Sequence, residues 1–360
     1  MSALSSFWGA ASLLLPFFIR FNSLNDVRIS KSYALVAMAF VSAMCFGVEL
    51  ATEWTVIALG AILYVNVVTK DFYTGAALEQ LVATMAGIFI LYQLISLKKY
   101  LRPQAIYFWF RVCAVLCCVI VFLHAYGFNP YNPDVIMPYP VGPLGQQTLT
   151  GALLAALLPS FFETRKTILF VPVVVAALYL LGSTMSWVAA GSAVWLYLMI
   201  RFRHYWPLVI VLSLAVVMVI SKTADPEFLS PHGRLIAWNE SLNLWLDGSF
   251  LRRAFGNGLG WYWNHSQATF MGEPFRHAHS ELLQALPEFG LFGVFCLIGL
   301  ASIPFFLKID AIAHAGLFAL YINSLANFTF HLAPLALVAI IYYALALTGG
   351  KNDYDCYQKL

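Results

Sequence analysis

Residues 105–128 read AIYFWFRVCAVLCCVIVFLHAYGF, twenty-four residues in which only Arg111 and His124 are ionisable in the ordinary pH range apart from cysteine and tyrosine. A helix needs about 20 apolar residues to cross the hydrocarbon of a bilayer. This stretch therefore predicts a membrane span, and the same reading extends along the chain in both directions. Further spans are expected at 4–19, 33–50, 54–69, 76–97, 148–162, 167–183, 184–200, 207–221, 290–307, 311–328 and 332–348, about twelve in all. The first is short, and the seventh and eighth are divided only by Gly182-Ser183-Thr184. The fold class expected is an all-α polytopic membrane protein.

Composition agrees. Of 360 residues, 61% are hydrophobic and 10% charged, against about 45–50% and about 25% in soluble domains. The mean hydropathy is +0.78. A net charge of +3 is too small for a surface that tracks nucleic-acid phosphates. The six cysteines lie in apolar runs or the C-terminal tail with no CxxC pattern, which reads as small buried hydrophobes. Phe7–Ile19 has no preceding Lys or Arg and no small-residue cleavage site, so it reads as a membrane segment rather than a signal peptide.

Positive charge sets the orientation. Lys98, Lys99, Arg102, Arg165, Lys166, Arg201, Arg203 and Lys308 fall on one side if the spans alternate, and Lys351 and Lys359 join them. That side is expected to be the cytoplasm, with both termini inside. Arg20, Arg28, Lys31 and Lys70 in the opposing short loops run against the pattern. The organisation expected is nine spans over 1–221, a long outward loop over 222–283, three more spans over 284–350, and a cytoplasmic tail, 351–360. A second outward segment, 129–147, holds five prolines and cannot be helical.

The long loop carries His232, His265, His277 and His279 with Arg234, Arg252, Arg253 and Arg276. Within it, Gly233–Leu246 repeats apolar Leu235, Trp238, Leu242 and Trp245 at helical spacing, an amphipathic stripe suited to the lipid–water boundary. Arg234 in its first turn reads either as an interfacial arginine or as a phosphate ligand, because a guanidinium fork matches phosphate oxygens in pairs. Gly256-Asn257-Gly258-Leu259-Gly260 reads as a plain turn or as one that brings backbone N–H groups beside an anion. No strand precedes it, so it is a weak nucleotide fingerprint.

His277 and His279 are two apart and point in nearly opposite directions, so they are not expected to share a task. His279 precedes a short helix expected over 280–286 and ended by Pro287. It reads either as that helix's cap or as a general base, kept neutral by nearby arginines. Zinc bound by His232, His265, His277, His279 and Glu273 is a further reading, without an HExxH or repeated spacing. Among the spans, Arg111, His124 and Glu79 are the ionisable residues to explain; Arg111 also reads as snorkelling toward the cytoplasmic interface.

Gly233-Arg234 with Trp238, the glycine turn 256–260, and the segment 278–293, AHSELLQALPEFGLFG, together resemble the O-antigen ligase/O-antigen polymerase family. Gly142-Pro143-Leu144-Gly145-Gln146-Gln147, opening the span that follows, is similar to that family's glycine/glutamine segment. The resemblance covers roughly 140–300 by motif and the whole chain by layout. It implies an inverting, metal-independent membrane glycosyltransferase of the GT-C type in a bacterial inner membrane, with its site on the periplasmic face. The implied donor is a glycan on a polyprenyl diphosphate, and the implied acceptor a hydroxyl of a glycan or of lipid A core. No cofactor or nucleic acid is implied, and the surroundings are membrane lipids.

By position, the resemblance makes His279 and Arg234 the catalytic pair. Arg276, Arg252, Arg253, His277, Gln147 and Glu288 are the further candidates for binding diphosphate or glycan. Many family members carry a Ser-Arg pair where this chain reads Gly182-Ser183-Thr184-Met185-Ser186-Trp187, so a second diphosphate ligand must come from elsewhere. Two readings from other classes stand beside this one. A flippase or transporter predicts an ionisable path through the spans and little dependence on loop histidines, and a non-catalytic membrane scaffold is the other.

Overall fold

The structure, a computed structural model, describes residues 3–17, 75–128, 140–202, 207, 234–270, 273–274, 277–307, 310–327 and 329–348. The expected spans at 33–50 and 54–69, nearly all of 207–221, the loop residues 222–233, Arg276 and the tail 351–360 lie outside these. Within the described residues the fold is all-α, as composition predicts. The helices are α1 Ala3–Phe17, α2 Gly75–Ser96, α3 Pro103–Ala125, α4 Gln147–Leu157, α5 Arg165–Ile168, α6 Val171–Leu181 and α7 Thr184–Arg201. They continue with α8 Arg234–Leu246, α9 Phe250–Phe255, α10 Trp261–His265, α11 Glu281–Ser302, α12 Ala311–Ser324 and α13 Ala333–Thr348. A two-residue pair, β1 Thr269–Phe270 and β2 Glu273–Pro274, is antiparallel.

Among the described residues, two helices are long and apolar enough to cross a membrane: α3, and α11 together with the 3₁₀ turn that extends it to Phe306. Ala86–Ser96 of α2, together with α12 and α13, are shorter apolar stretches. Gly182, left-handed at φ 62, closes α6, and Ser183 then caps α7 by accepting from the Ser186 N–H. The break expected between the seventh and eighth segments is therefore a real helix boundary.

The core forms where small residues let helices meet. α12 packs on α7, α4 and α13. A Cβ at Gly316 would lie 2.3 Å from the Tyr342 ring and 2.8 Å from the Ala156 carbonyl, so only glycine allows this approach. Tyr342 then donates its hydroxyl to that carbonyl at 2.9 Å. At the start of α12, Asp310 accepts from the N–H groups of Ile312 and Ala313, each at 3.0 Å. This is an acidic cap on the positive end of a helix. Tyr107 of α3 donates to the same carboxylate at 2.7 Å, fixing α3 against α12.

Arg111 forms an ion pair with Glu163 and donates to the Ser160 carbonyl at 2.9 Å. His124 accepts the Gly142 N–H at 3.1 Å and so anchors the segment that leads into α4. The side chain of Glu79 lies outside the described residues. Cys113, Cys117 and Cys118 are buried, in keeping with small core hydrophobes.

α11 has two characters. Its first ten residues pack against α8 and α9, whereas Phe292, Phe295, Ile298 and Leu300 beyond the bend are exposed.

Candidate functional site

The site is built where α8 lies along the head of α11. Gly233–Leu246 was the expected helix and Arg234–Leu246 is the observed one. Its buried face is centred on Ala237 and Ser241, both fully buried, while Leu235 is half exposed. The large side chains of the expected stripe flank this contact rather than form it.

Pro287 does not end the helix of the His279 segment; α11 continues through it and changes course at Gly290. Proline lacks the N–H that would bond the carbonyl four residues back, here that of Leu283. Ser241 of α8 fills the vacancy, donating to the Leu283 carbonyl at 2.5 Å. A Ser241→Ala variant leaves that carbonyl unpaired, at a cost of about 1–3 kcal/mol. The expected result is a lower thermal midpoint in detergent, read by intrinsic fluorescence.

The true bend is at Gly290, with φ 66 and ψ −172, a conformation that is essentially restricted to glycine. It releases the carbonyls of Pro287 and Glu288 from the helix. The glycine turn meets them there: Asn257 N–H donates to Pro287 at 2.9 Å, its side-chain amide at 3.0 Å, and Gly258 N–H to Glu288 at 2.7 Å. The N–H groups of Gly260 and Tyr262 lie toward the Glu288 carboxyl. The turn thus closes on the carbonyls of Pro287 and Glu288 and on the buried Glu288 side chain.

Immediately ahead of α11, His279 has φ 51, the only positive φ on a non-glycine among the described residues. A left-handed residue of this kind costs about 1–2 kcal/mol. Strain of this sort persists where the surroundings over-determine it and clusters at functional sites. His279 is not the cap of α11. Ser280 is, accepting from the Leu283 N–H at 3.4 Å. Trp238 of α8 donates its indole N–H to the His279 carbonyl at 3.5 Å.

Burial first, and then the positive charge of Arg234, push the His279 imidazole down from its ordinary 6.5 to about 4. The expectation of a neutral histidine beside arginine holds, with desolvation as the larger cause and one guanidinium as the second. Arg234 is the first residue of α8 and donates to the Asn327 side-chain oxygen at 3.4 Å. Burial lowers its affinity for the proton, although an arginine remains a cation at neutral pH.

His277 faces elsewhere, as its spacing from His279 predicts. It is buried edge-on to Trp263, with its ring 5.0 Å from that of His331. Its Nδ1 lies 3.3 Å from the Gln284 oxygen, which also accepts the Ala278 N–H at 3.2 Å. The Gln284 amide nitrogen lies 3.2 Å from Glu288 and 3.3 Å from His331. His331 pairs in turn with Glu281 at 3.0 Å. Gln284 and Glu288 thus belong to a buried polar network behind His279.

Arg252 and Arg253 do not join Arg234. They lie on α9, at the far end of α8, where Trp245 donates to the Arg253 carbonyl at 3.0 Å and Arg253 donates to Gly248 at 2.8 Å. Eleven residues of helix rise separate Trp245 from Arg234, roughly 16 Å. Arg252 borders a shallow open cleft with Leu244, Asp247, Asn257 and Trp261. Gln147 opens α4, and its bonds connect it to neither Arg234 nor His279. On either side of it, the Gln146 oxygen and the Thr148 hydroxyl are buried with no hydrogen-bond partner among the described residues. Arg276, His232 and the side chain of Glu273 lie outside the described residues. Within those described, no group of three His, Cys, Asp or Glu side chains is placed to hold a metal, and His265 is stacked on Trp261.

Asn323, Asn327, Thr329 and His331 were not anticipated. The signal for them is that they and Ser324 make five polar side chains in nine residues of an otherwise apolar stretch, with Asn323 and Asn327 one helical turn apart. No family model matches the chain, and no curated protein matches it.

Proposed function

We propose that this chain is an integral-membrane glycosyltransferase. It moves a glycan from a polyprenyl diphosphate to a hydroxyl acceptor at the outer face of the membrane, in the manner of the O-antigen polymerases and ligases that its motifs resemble. The observation that carries the reading is His279, a strained residue whose buried imidazole stays neutral under the charge of Arg234. A neutral imidazole can take a proton. A fixed guanidinium in a partly dry site can stabilise a departing diphosphate, the electrostatic contribution that is usually largest in catalysis. α8 adds to this, because its first turn contains no acidic residue to cancel the guanidinium or the helix N–H groups.

In the proposed step, His279 removes the proton of the acceptor hydroxyl as its oxygen attacks the anomeric carbon. The bond from that carbon to the diphosphate oxygen breaks, and the electron pair leaves on the diphosphate beside Arg234. Attack opposite the leaving group inverts the anomeric centre. The chain is read as multi-pass, with α11 and α3 among its spans and α8 at the outer interface.

The test is transfer in vitro, with purified protein in lipid nanodiscs, an undecaprenyl-diphosphate-linked glycan and excess EDTA. The expected result is a lengthened or transferred glycan that persists in chelator and is lost in Arg234→Ala. Absence of transfer by the wild type, with either a glycan or a lipid A core acceptor, overturns the reading.

The pH dependence has a definite sign. His279 is neutral above about 4, so transfer holds through the neutral range and falls as pH drops through about 4. In an Arg234 variant that keeps measurable activity, such as Arg234→Lys, this acid limb stays in the same region because the charge is retained. Stability follows the same direction. The unfolded histidine binds its proton near 6.5, so acid removes stability between that value and about 4.

A further inference from the structure

The geometry points to the turn between α12 and α13, from Asn323 to His331, as a common mount for Arg234 and His279, with Asn327 and His331 as positioning residues. This rests on the reading of Arg234 and His279 as the working pair.

One side of the mount holds the guanidinium. Arginine is only a donor, so the atom of Asn327 that it meets at 3.4 Å must be the oxygen. The Asn327 amide nitrogen is thereby turned toward Asn323, whose oxygen accepts it at 3.0 Å and accepts the Thr329 hydroxyl at 3.0 Å. The orientation of both amides is thus dictated from Arg234 inward. Asn323 is completely buried and Asn327 nearly so, which leaves water little opportunity to compete.

The other side holds the strained histidine. Glu281, two residues beyond His279, accepts the Phe330 N–H at 2.7 Å and pairs with His331 Nδ1 at 3.0 Å. His331 Nε2 faces the Gln284 amide nitrogen at 3.3 Å, and the oxygen of that amide takes the N–H of Ala278. The residues before and after His279 are therefore both tied to a network that ends on residues 330 and 331. Arg234 and His279, 45 positions apart in sequence, refer to the same short turn. Without it the left-handed residue would relax.

The test reads the imidazole directly, in the full-length protein in detergent, by an NMR titration of carbon-13-labelled histidine assigned through His279→Gln. The wild-type ring is expected to titrate near about 4. Arg234→Ala raises this by about one pH unit, and it remains below 6.5 because burial persists. Asn327→Ala shifts it in the same direction, and Arg234→Ala/Asn327→Ala shifts it no further than Arg234→Ala alone. His331→Ala also raises it, whereas His331→Asn, which keeps a donor toward Glu281, retains the wild-type value.

An unchanged His279 in Asn327→Ala or in His331→Ala overturns the mount. So do additive shifts in the double variant, or a rise in Asn327→Ala all the way to 6.5, which signals a melted turn. Binding of undecaprenyl diphosphate to the wild-type protein, measured on the same sample, tests the transferase reading separately. The expected titrations without diphosphate binding support the mount and remove that reading.

Discussion

A His279→Gly variant is expected to lose about 10²–10⁴-fold in transfer rate while unfolding within about 1 kcal/mol of the wild type. The first half follows from removing the only group proposed to take the acceptor's proton. The second follows from the backbone. His279 sits at φ 51, where a side chain costs about 1–2 kcal/mol and glycine costs nothing. Glycine gives back part of that gain through the greater freedom of its unfolded chain. Thermal unfolding and transfer assays on the same preparation separate the two effects. Asn tolerates the left-handed region better than most residues, so His279→Asn should also fold and also be inactive. Activity retained in either variant removes the imidazole from the mechanism.

Gly290→Ala is expected to cost about 3 kcal/mol or more, enough to abolish a folded preparation at growth temperature. A Cβ there would lie 2.5 Å from the Ala254 carbonyl and 2.6 Å from the Gly256 nitrogen. These are backbone atoms that cannot swing aside. The φ of 66 with ψ near −172 excludes other residues even without the contact. Gly256 faces the same problem from the opposite side, since its Cβ would lie 2.2 Å from the Glu288 carbonyl. Gly299→Ala, at a helical position with nothing within 4 Å, is the control and should be neutral or slightly stabilising. Size-exclusion profiles and proteolysis of the two variants compare them directly. A monodisperse, protease-resistant Gly290→Ala protein would show that the bend is not required.

The helices were legible for a simple reason. Long apolar runs stand out in a sequence, and α1, α2, α3 and α13 coincide to within three residues with the runs read at 4–19, 76–97, 105–128 and 332–348. α8 was legible through its periodicity, to within one residue. Pro287 misled because its effect depends on a partner remote in sequence. A proline ends a helix when the freed carbonyl finds no donor, and Ser241 supplies one. The paired Arg252 and Arg253 looked like diphosphate ligands because sequence cannot show that α8 holds them a helix length from Arg234. The mount at 323–331 went unread because Arg234 and Asn327 are 93 positions apart. The cluster of polar residues in an apolar stretch is visible locally, but only the fold shows which residues it meets.

The bent helix α11 joins two tasks in one rod. Its upper arm carries the turn with His279, and its lower arm is a nearly bare column of phenylalanine, leucine and isoleucine. Such a column settles at the depth where its greasy length matches the acyl chains around it. For the proposed membrane enzyme, the height of the imidazole is then coupled to how long those tails are. Bilayer thickness becomes a quantity to which the proposed transfer should respond, and shorter or longer phospholipids offer a way to tune it without altering a single residue.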